Sequence, residues 1–199
     1  PIIRYKMLRP LLLLLASCYF LGLSAQENDC SFGLVLSSAQ AEVGEEVTID
    51  VTTRQYEDIV ALQYSHHWNP AKLRFIEVLY NPDMDISVAN FNLQPEFINA
   101  GVLNFAYVEA TGAGRDLVDG EALYQLRFEL LDADGADVTI TDLAGTIEII
   151  HATELILDNF YFLHSQIGPA ASNPSITTAC INCQVCNDPD LGRIVINPN

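Results

Sequence analysis

Tyr64, Ser65, His66, His67, Trp68, Asn69, Pro70, Ala71, Lys72, Leu73, Arg74, Phe75 is the stretch whose reading decides the fold. Tyr64, His66 and Trp68 recur at every second position, with Ser65 and His67 between them, the period of a strand that buries one face and wets the other. Asn69 and Pro70 then stop the strand. Proline presets its own φ, and an asparagine side chain can bond to nearby backbone, so the pair makes a turn for purely local reasons. Leu73, Arg74 and Phe75 open a second strand. Upstream, Val60 and Leu62 continue the apolar series against Ala61 and Gln63.

The same period dominates the rest of the chain. Val47, Ile49 and Val51 alternate with Thr48, Asp50 and Thr52, and Val138 and Ile140 oppose Thr139 and Thr141. Ala122, Tyr124, Leu126, Phe128 and Leu130 alternate with Leu123, Gln125, Arg127 and Glu129. Turn residues separate these runs at Gly44, Asn81-Pro82, Gly101, Gly112 to Gly114, Asp119-Gly120, Asp134-Gly135 and Gly145. Short strands at this rhythm predict an all-β sandwich. Asp142 to Leu157 could hold one helical turn, and no internal repeat is visible. From Gly168 onward the chain shifts to Pro, Ala, Ser, Asn and Thr and then to a cysteine cluster. The organisation expected is therefore residues 1–25, a sandwich over 26–168, and a tail over 169–199. Ile196 to Asn199 stop without a closing element, as they would in a chain that continues.

Residues 1–25 read as a secretory signal: Arg4, Lys6 and Arg9 precede the apolar run Leu11 to Leu23, and Ser24-Ala25 offers small residues for cleavage. Met7 gives such a signal an ordinary length. The run is too short to favour a permanent membrane span, and no later segment approaches the apolar length required. Leu15, Ala16, Ser17 and Cys18 form a competing lipobox-like sequence that would leave Cys18 lipidated and the chain anchored at a surface; it ranks second because Tyr19, Phe20 and Leu21 stay apolar. The whole chain carries 9 Lys+Arg against 26 Asp+Glu, net −17, and loss of the leader takes three basic residues and leaves net −20. Nucleic acid is excluded as a partner by that sign. Four cysteines remain after the leader, Cys30, Cys180, Cys183 and Cys186. An even count in an exported chain favours disulfides over metal, and sequence alone leaves the three possible pairings open.

Three segments belong together: Tyr64 to Phe75, then Gly101, Val102, Leu103, Asn104, Phe105, Ala106, Tyr107, then Asp119, Gly120, Glu121, Ala122, Leu123, Tyr124, Gln125, Leu126, Arg127, Phe128. In this order and spacing, over Val43 to about Ile150 with a last strand near Phe160 to Ile167, the chain resembles the cohesin domain. The resemblance implies an antiparallel β-sandwich of jelly-roll topology with about nine strands. It also implies a non-catalytic extracellular module that docks a dockerin-like protein. Because the fold neighbours carbohydrate-binding jelly rolls, direct polysaccharide binding is the alternative. First and last strands lie side by side in such a sandwich, which would bring Cys30 toward Cys180 or Cys183. The best-known cohesins place an Asn and an Asp on the third-strand face where this chain has Ala61 and Gln63. Their Asp-Pro is Asn69-Pro70 here, and Glu109 alone keeps a matching acid.

Strand alternation sends Leu62, Tyr64, Phe105 and Tyr107 inward, leaving an outer face of Ala61, Gln63, Ser65, Asn104, Ala106 and Glu109 as the expected binding surface. His67 and Val108 share that outer set. No aromatic stripe lies on this face, which favours a protein partner; Tyr56, Tyr80 and Phe91, read as loop aromatics, are the residues that could instead make a sugar platform. No cofactor or metal is expected. His66 and His67 are strand neighbours and point to opposite faces, so they cannot share a metal, and His66 reads as a hydrogen-bonded core residue. His151 and His164 have no ligand spacing. Asp132, Asp134, Gly135 and Asp137 read as an acidic hairpin turn, since the EF-hand order of acids and glycine fails. Neither a nucleophile elbow nor a His-Glu-x-x-His motif occurs, and an enzyme ranks behind a binding module.

Overall fold

The computed structural model describes residues 32–169 except 144, 154–155 and 158–159, and the backbone of 178–181, 185–188 and 192–195. In chain order the strands are β1 (Phe32–Leu36), β2 (Ala39–Gln40), β3 (Glu46–Arg54), β4 (Tyr56–Trp68), β5 (Leu73–Tyr80), β6 (Phe91–Asn92), β7 (Val102–Val108), β8 (Arg115–Leu117), β9 (Ala122–Leu130), β10 (Ala136–Thr141), β11 (Glu148–His151), β12 (Phe160–Leu163), β13 (Ser165–Gly168), β14 (Thr178–Ile181), β15 (Val185–Asp188) and β16 (Gly192–Val195). A 3-10 turn at Val88–Asn90 and a short helix α1 at Pro95–Asn99 interrupt them.

Six strands form one sheet in the order β14-β12-β1-β3-β9-β5, and a second sheet runs β2-β13-β10-β4-β7-β6 with β11 and β8 also paired to β4. These two sheets make the all-β sandwich expected from the alternation. Thirteen strands, not about nine, precede Pro169 among the described residues. The surplus includes β2, β6 and β8, two or three residues each, too short to show a period. Pairing is mixed and not purely antiparallel: β1 lies parallel to β12 and β2 parallel to β13. Both parallel pairs join the two ends of the domain, where no hairpin constrains direction. The expected last strand is split at His164 into β12 and β13, one in each sheet. No helix forms between Asp142 and Leu157 among the described residues; β11 lies there, paired to β4.

β4 and β5, the two strands of the opening stretch, are not a hairpin. The turn at Asn69 carries the chain from one sheet to the other, with Asn69 accepting from the amides of Ala71, Lys72 and Leu73. Trp68 at the end of β4 packs on Phe75 and Phe128 across the core, ring centres 5.8 and 5.3 Å away. The sheets are also joined by hydrogen bonds: Tyr64 Oη lies 2.8 Å from Tyr124 Oη, which lies 2.7 Å from His66 Nε2. Burial, with His164 nearby, lowers the His66 pKa to about 3 and keeps the ring neutral. This is the structural histidine expected at that position.

Candidate functional site

β4 is the central strand of the second sheet, and β7 is its neighbour. Their register sets Ala61 opposite Val108, Gln63 opposite Ala106 and Ser65 opposite Asn104. Gly101, immediately before β7, makes this register possible. It sits at φ +76° and its carbonyl accepts from the Trp68 amide; a Cβ there would stand 2.0 Å from the Trp68 carbonyl oxygen. The inward partners Leu62, Tyr64, Phe105 and Tyr107 are all buried. Five of the six expected residues are thus gathered on one outer surface, with Glu109 just beyond the end of β7.

One of them is not solvent-facing, and another is tied to its own loop. Ser65 is only 2 % exposed, because β7 and β10 flank β4 on both edges at this level and the Ser65 hydroxyl donates to Asn104 Oδ1 at 3.1 Å. Glu109 is committed to its own loop. Its carboxylate accepts from the Thr111 hydroxyl at 2.8 Å, the Thr111 amide at 3.0 Å and the Ala113 amide at 3.2 Å. Those bonds, first among them the Thr111 hydroxyl, hold its carboxyl below the usual glutamate range. Ala106 is exposed, Ala61 and Asn104 are half-buried, and Gln63 is half-buried with its amide donating to the Thr146 carbonyl at 3.1 Å.

Alternation in β4 also slips near its start. Ile59 and Leu62 are both buried and Val60 is only half-buried, because β4 bulges between Ile59, opposite His151, and Ala61, opposite Ile150. Upstream, Asp58 sits at φ +49°, its amide bonded to Asp116 at 2.8 Å.

Segment 88–92, which has no period in the sequence, forms one wall of the face. Asn90 donates to the Ala106 carbonyl at 2.9 Å, and Asn92 pairs with Asn104. With Gln63, Ser65, Asn104 and Ala106 these two asparagines line a cleft of about 440 Å³. The exposed aliphatic side chains Val88 (59 %) and Val108 (74 %) stand beside it. A second cleft, of about 550 Å³, lies at the other end of the same sheet and includes His67, Asn69, Lys72, Asp137, Thr139 and Gln166. Alternation marks Thr139 and His67 as outward, but only the β4–β10 pairing makes them neighbours.

Two of the three aromatics read as loop residues are buried in strands. Tyr56 is fully buried, paired to Leu117 of β8 and with its ring centre 5.9 Å from that of Phe32, and Phe91 is buried against Phe105 and Tyr124, ring centres 5.0 Å from each. Tyr80 alone of the three reaches solvent, 39 % exposed. The acidic stretch at Asp132 is the turn between β9 and β10: the Asp134 amide donates to the Asp132 carboxylate at 2.8 Å.

A polar strip on a β-sandwich can serve many purposes, and family membership narrows them. The model of the Cohesin domain matches residues 32–159, more than half of the chain. The chain belongs to the cohesin family. Among solved structures, it is similar to the seventh ScaB type I cohesin of Pseudobacteroides cellulosolvens, with 17 % identity over 72 % of this chain and 94 % of that one, TM-score 0.56. A type I cohesin–dockerin complex from Clostridium thermocellum matches with 11 % identity over 70 % of this chain and 99 % of the other, TM-score 0.57. A non-cellulosomal cohesin of the archaeon Archaeoglobus fulgidus matches with 14 % identity over 71 % and 92 %, TM-score 0.54. At these identities the likeness is one of fold. No curated protein sequence matches this cohesin.

The leader, the lipobox-like sequence, Cys30 and Cys183 lie outside the described residues, as do the side chains of Cys180 and Cys186. The backbone of Cys180 is opposite Tyr161 in β12. β1 does lie beside β12, as the cohesin likeness implied. Among the described residues no helix is long and apolar enough to cross a membrane.

Proposed function

We propose that this cohesin is a non-catalytic docking module whose outer β4–β7 face receives a dockerin-like protein module. The observation that carries the reading is the strip of small and amide side chains, Ala61, Gln63, Asn104 and Ala106, held in register over a fully buried apolar row. Such a surface has few flexible groups to order on association, and its central positions are where interface energy concentrates. The buried state of Tyr56 and Phe91 counts against ring-stacking on a polysaccharide. Export, as read from residues 1–25, or surface anchoring through Cys18, would place the module where an extracellular partner meets it.

The test is calorimetric titration of this cohesin with a panel of dockerin modules, alongside a polysaccharide gel-shift panel. Binding to a dockerin is expected, with Gln63→Arg and Ala106→Arg each weakening it by about 30-fold or more, roughly 2 kcal/mol, without lowering Tm. Affinity unchanged in both variants, or mobility shifts only with polysaccharide, would overturn the docking reading.

A further inference from the structure

β12 differs from the other strands of its sheet. Its four side chains, Phe160, Tyr161, Phe162 and Leu163, are each no more than 5 % exposed. Phe160 and Phe162 belong to the core between the sheets, ring centres 5.3 Å apart, whereas Tyr161 and Leu163 do not. By strand alternation these two project from the outer face. On β3 and β9 that outer face is polar, with Thr48, Asp50, Thr52, Arg127 and Glu129 partly or fully exposed, and only Gly33 and Val35 of β1 continue the apolar surface beside β12. At β12 it is apolar and covered. Tyr161 lies over Gly33 of β1; a Cβ at Gly33 would stand 2.4 Å from its ring.

One edge of β12 is taken by β1, and the other would be an open row of backbone donors and acceptors beside Phe, Tyr, Phe and Leu. An open edge of that composition templates pairing with another chain. β14 occupies it, antiparallel, with Phe160 opposite Ile181 and Leu163 opposite Thr178. The Cohesin match ends at residue 159, so β14 lies beyond the part of the chain that the family model covers.

We infer that the β12 edge is a strand-accepting site and that its occupant is this chain's own tail, Thr178–Ile181, acting as a strap. β13 ends in the second sheet at Gly168, and β14 begins in the first sheet at Thr178. The folded unit then runs to Ile181 and not to residue 168, and the four-residue β14 takes the place a second copy would have on the Phe-Tyr-Phe-Leu edge, becoming the end strand itself. This inference does not depend on the docking reading, which concerns the opposite sheet.

Hydrogen exchange on the intact chain tests it, together with the single variants Thr178→Pro and Ala179→Pro. Successive strand residues aim their amides to opposite sides, so one of the two prolines removes a donor to β12. In the intact chain, slow exchange is expected at 160–163 and at 178–181 alike. One proline variant should speed exchange at 160–163, lower Tm and produce concentration-dependent association by light scattering, and a synthetic peptide spanning 176–183 added in trans should reverse the association. Exchange at 178–181 at the rate of a free peptide overturns the strap, as does an unchanged Tm and monomeric state in both variants. Because the first measurement uses the unaltered protein, a variant that fails to fold does not remove the decision.

Discussion

His66 is a polar group with a structural duty in a largely apolar interior. If Tyr64 donates to Tyr124 and Tyr124 donates to His66 Nε2, both phenolic protons are used and Nδ1 alone has no partner; the reverse direction would strand the Tyr64 proton as well. Tyr124→Phe removes the shared middle of this chain and should cost about 1–3 kcal/mol for each group left buried without a partner, measured by urea unfolding at pH 7. Acid should act on the same residue. The folded pKa of His66 is depressed to about 3 from an ordinary 6.5, so below pH 6.5 the unfolded chain binds the proton first. Stability present above pH 6.5 is lost as pH falls toward 3, by up to about 1.4 kcal/mol per pH unit, and His164, also lowered by burial, adds in the same direction. Urea midpoints at pH 7, 5.5 and 4.5 check the sign; a flat or rising profile would contradict it. Trp68→Ala should cost about 3–5 kcal/mol by opening the contact with Phe75 and Phe128.

At the level of elements, two turns hold the candidate face in shape. Gly101→Ala forces a side chain into a left-handed position and against the Trp68 carbonyl, so it should destabilise the domain by about 2 kcal/mol or more and disturb the β4–β7 register. Comparing its amide spectrum with that of wild type would show shifts concentrated at 61–68 and 101–108. Glu109 organises the loop through Ala113 from a half-buried position outside the core, so Glu109→Ala should speed hydrogen exchange at Thr111 and Ala113 while leaving Tm nearly unchanged. The face itself was partly legible. Alternation predicted that Leu62, Tyr64, Phe105 and Tyr107 go inward, and they do. Ser65 escaped because side-chain parity gives direction only; whether an outward group is wet depends on the strands at either side. Asn90 and Asn92 escaped because a two-residue strand after a 3-10 turn has no period.

For the whole molecule, the cysteines offer a further test. Peptide mapping without reduction is expected to find Cys30 joined to Cys180 or Cys183 and the remaining two of the cluster joined locally. Closing most of the domain in one loop would stabilise it by about 4–5 kcal/mol in the chain-entropy model; free Cys30, or stoichiometric zinc in the purified protein, would remove that arrangement. The all-β sandwich was determined by the sequence itself, because a period of two over so many short runs can bury its apolar set only as stacked sheets. The same pattern determined which side chains of β4 and β7 enter the core, and the turn residues determined where strands stop. Which sheet each strand joins was decided only in three dimensions. β4 and β5 read as one strand–turn–strand unit yet lie in different sheets, and β12 and β13 read as one strand yet divide at His164. The parallel meeting of β1 with β12 and the seating of β14 were likewise decided there. The physical reason is that alternation is written in each strand's own side chains, whereas pairing depends on backbone groups that every residue shares. Only the packing of the complete core selects among them.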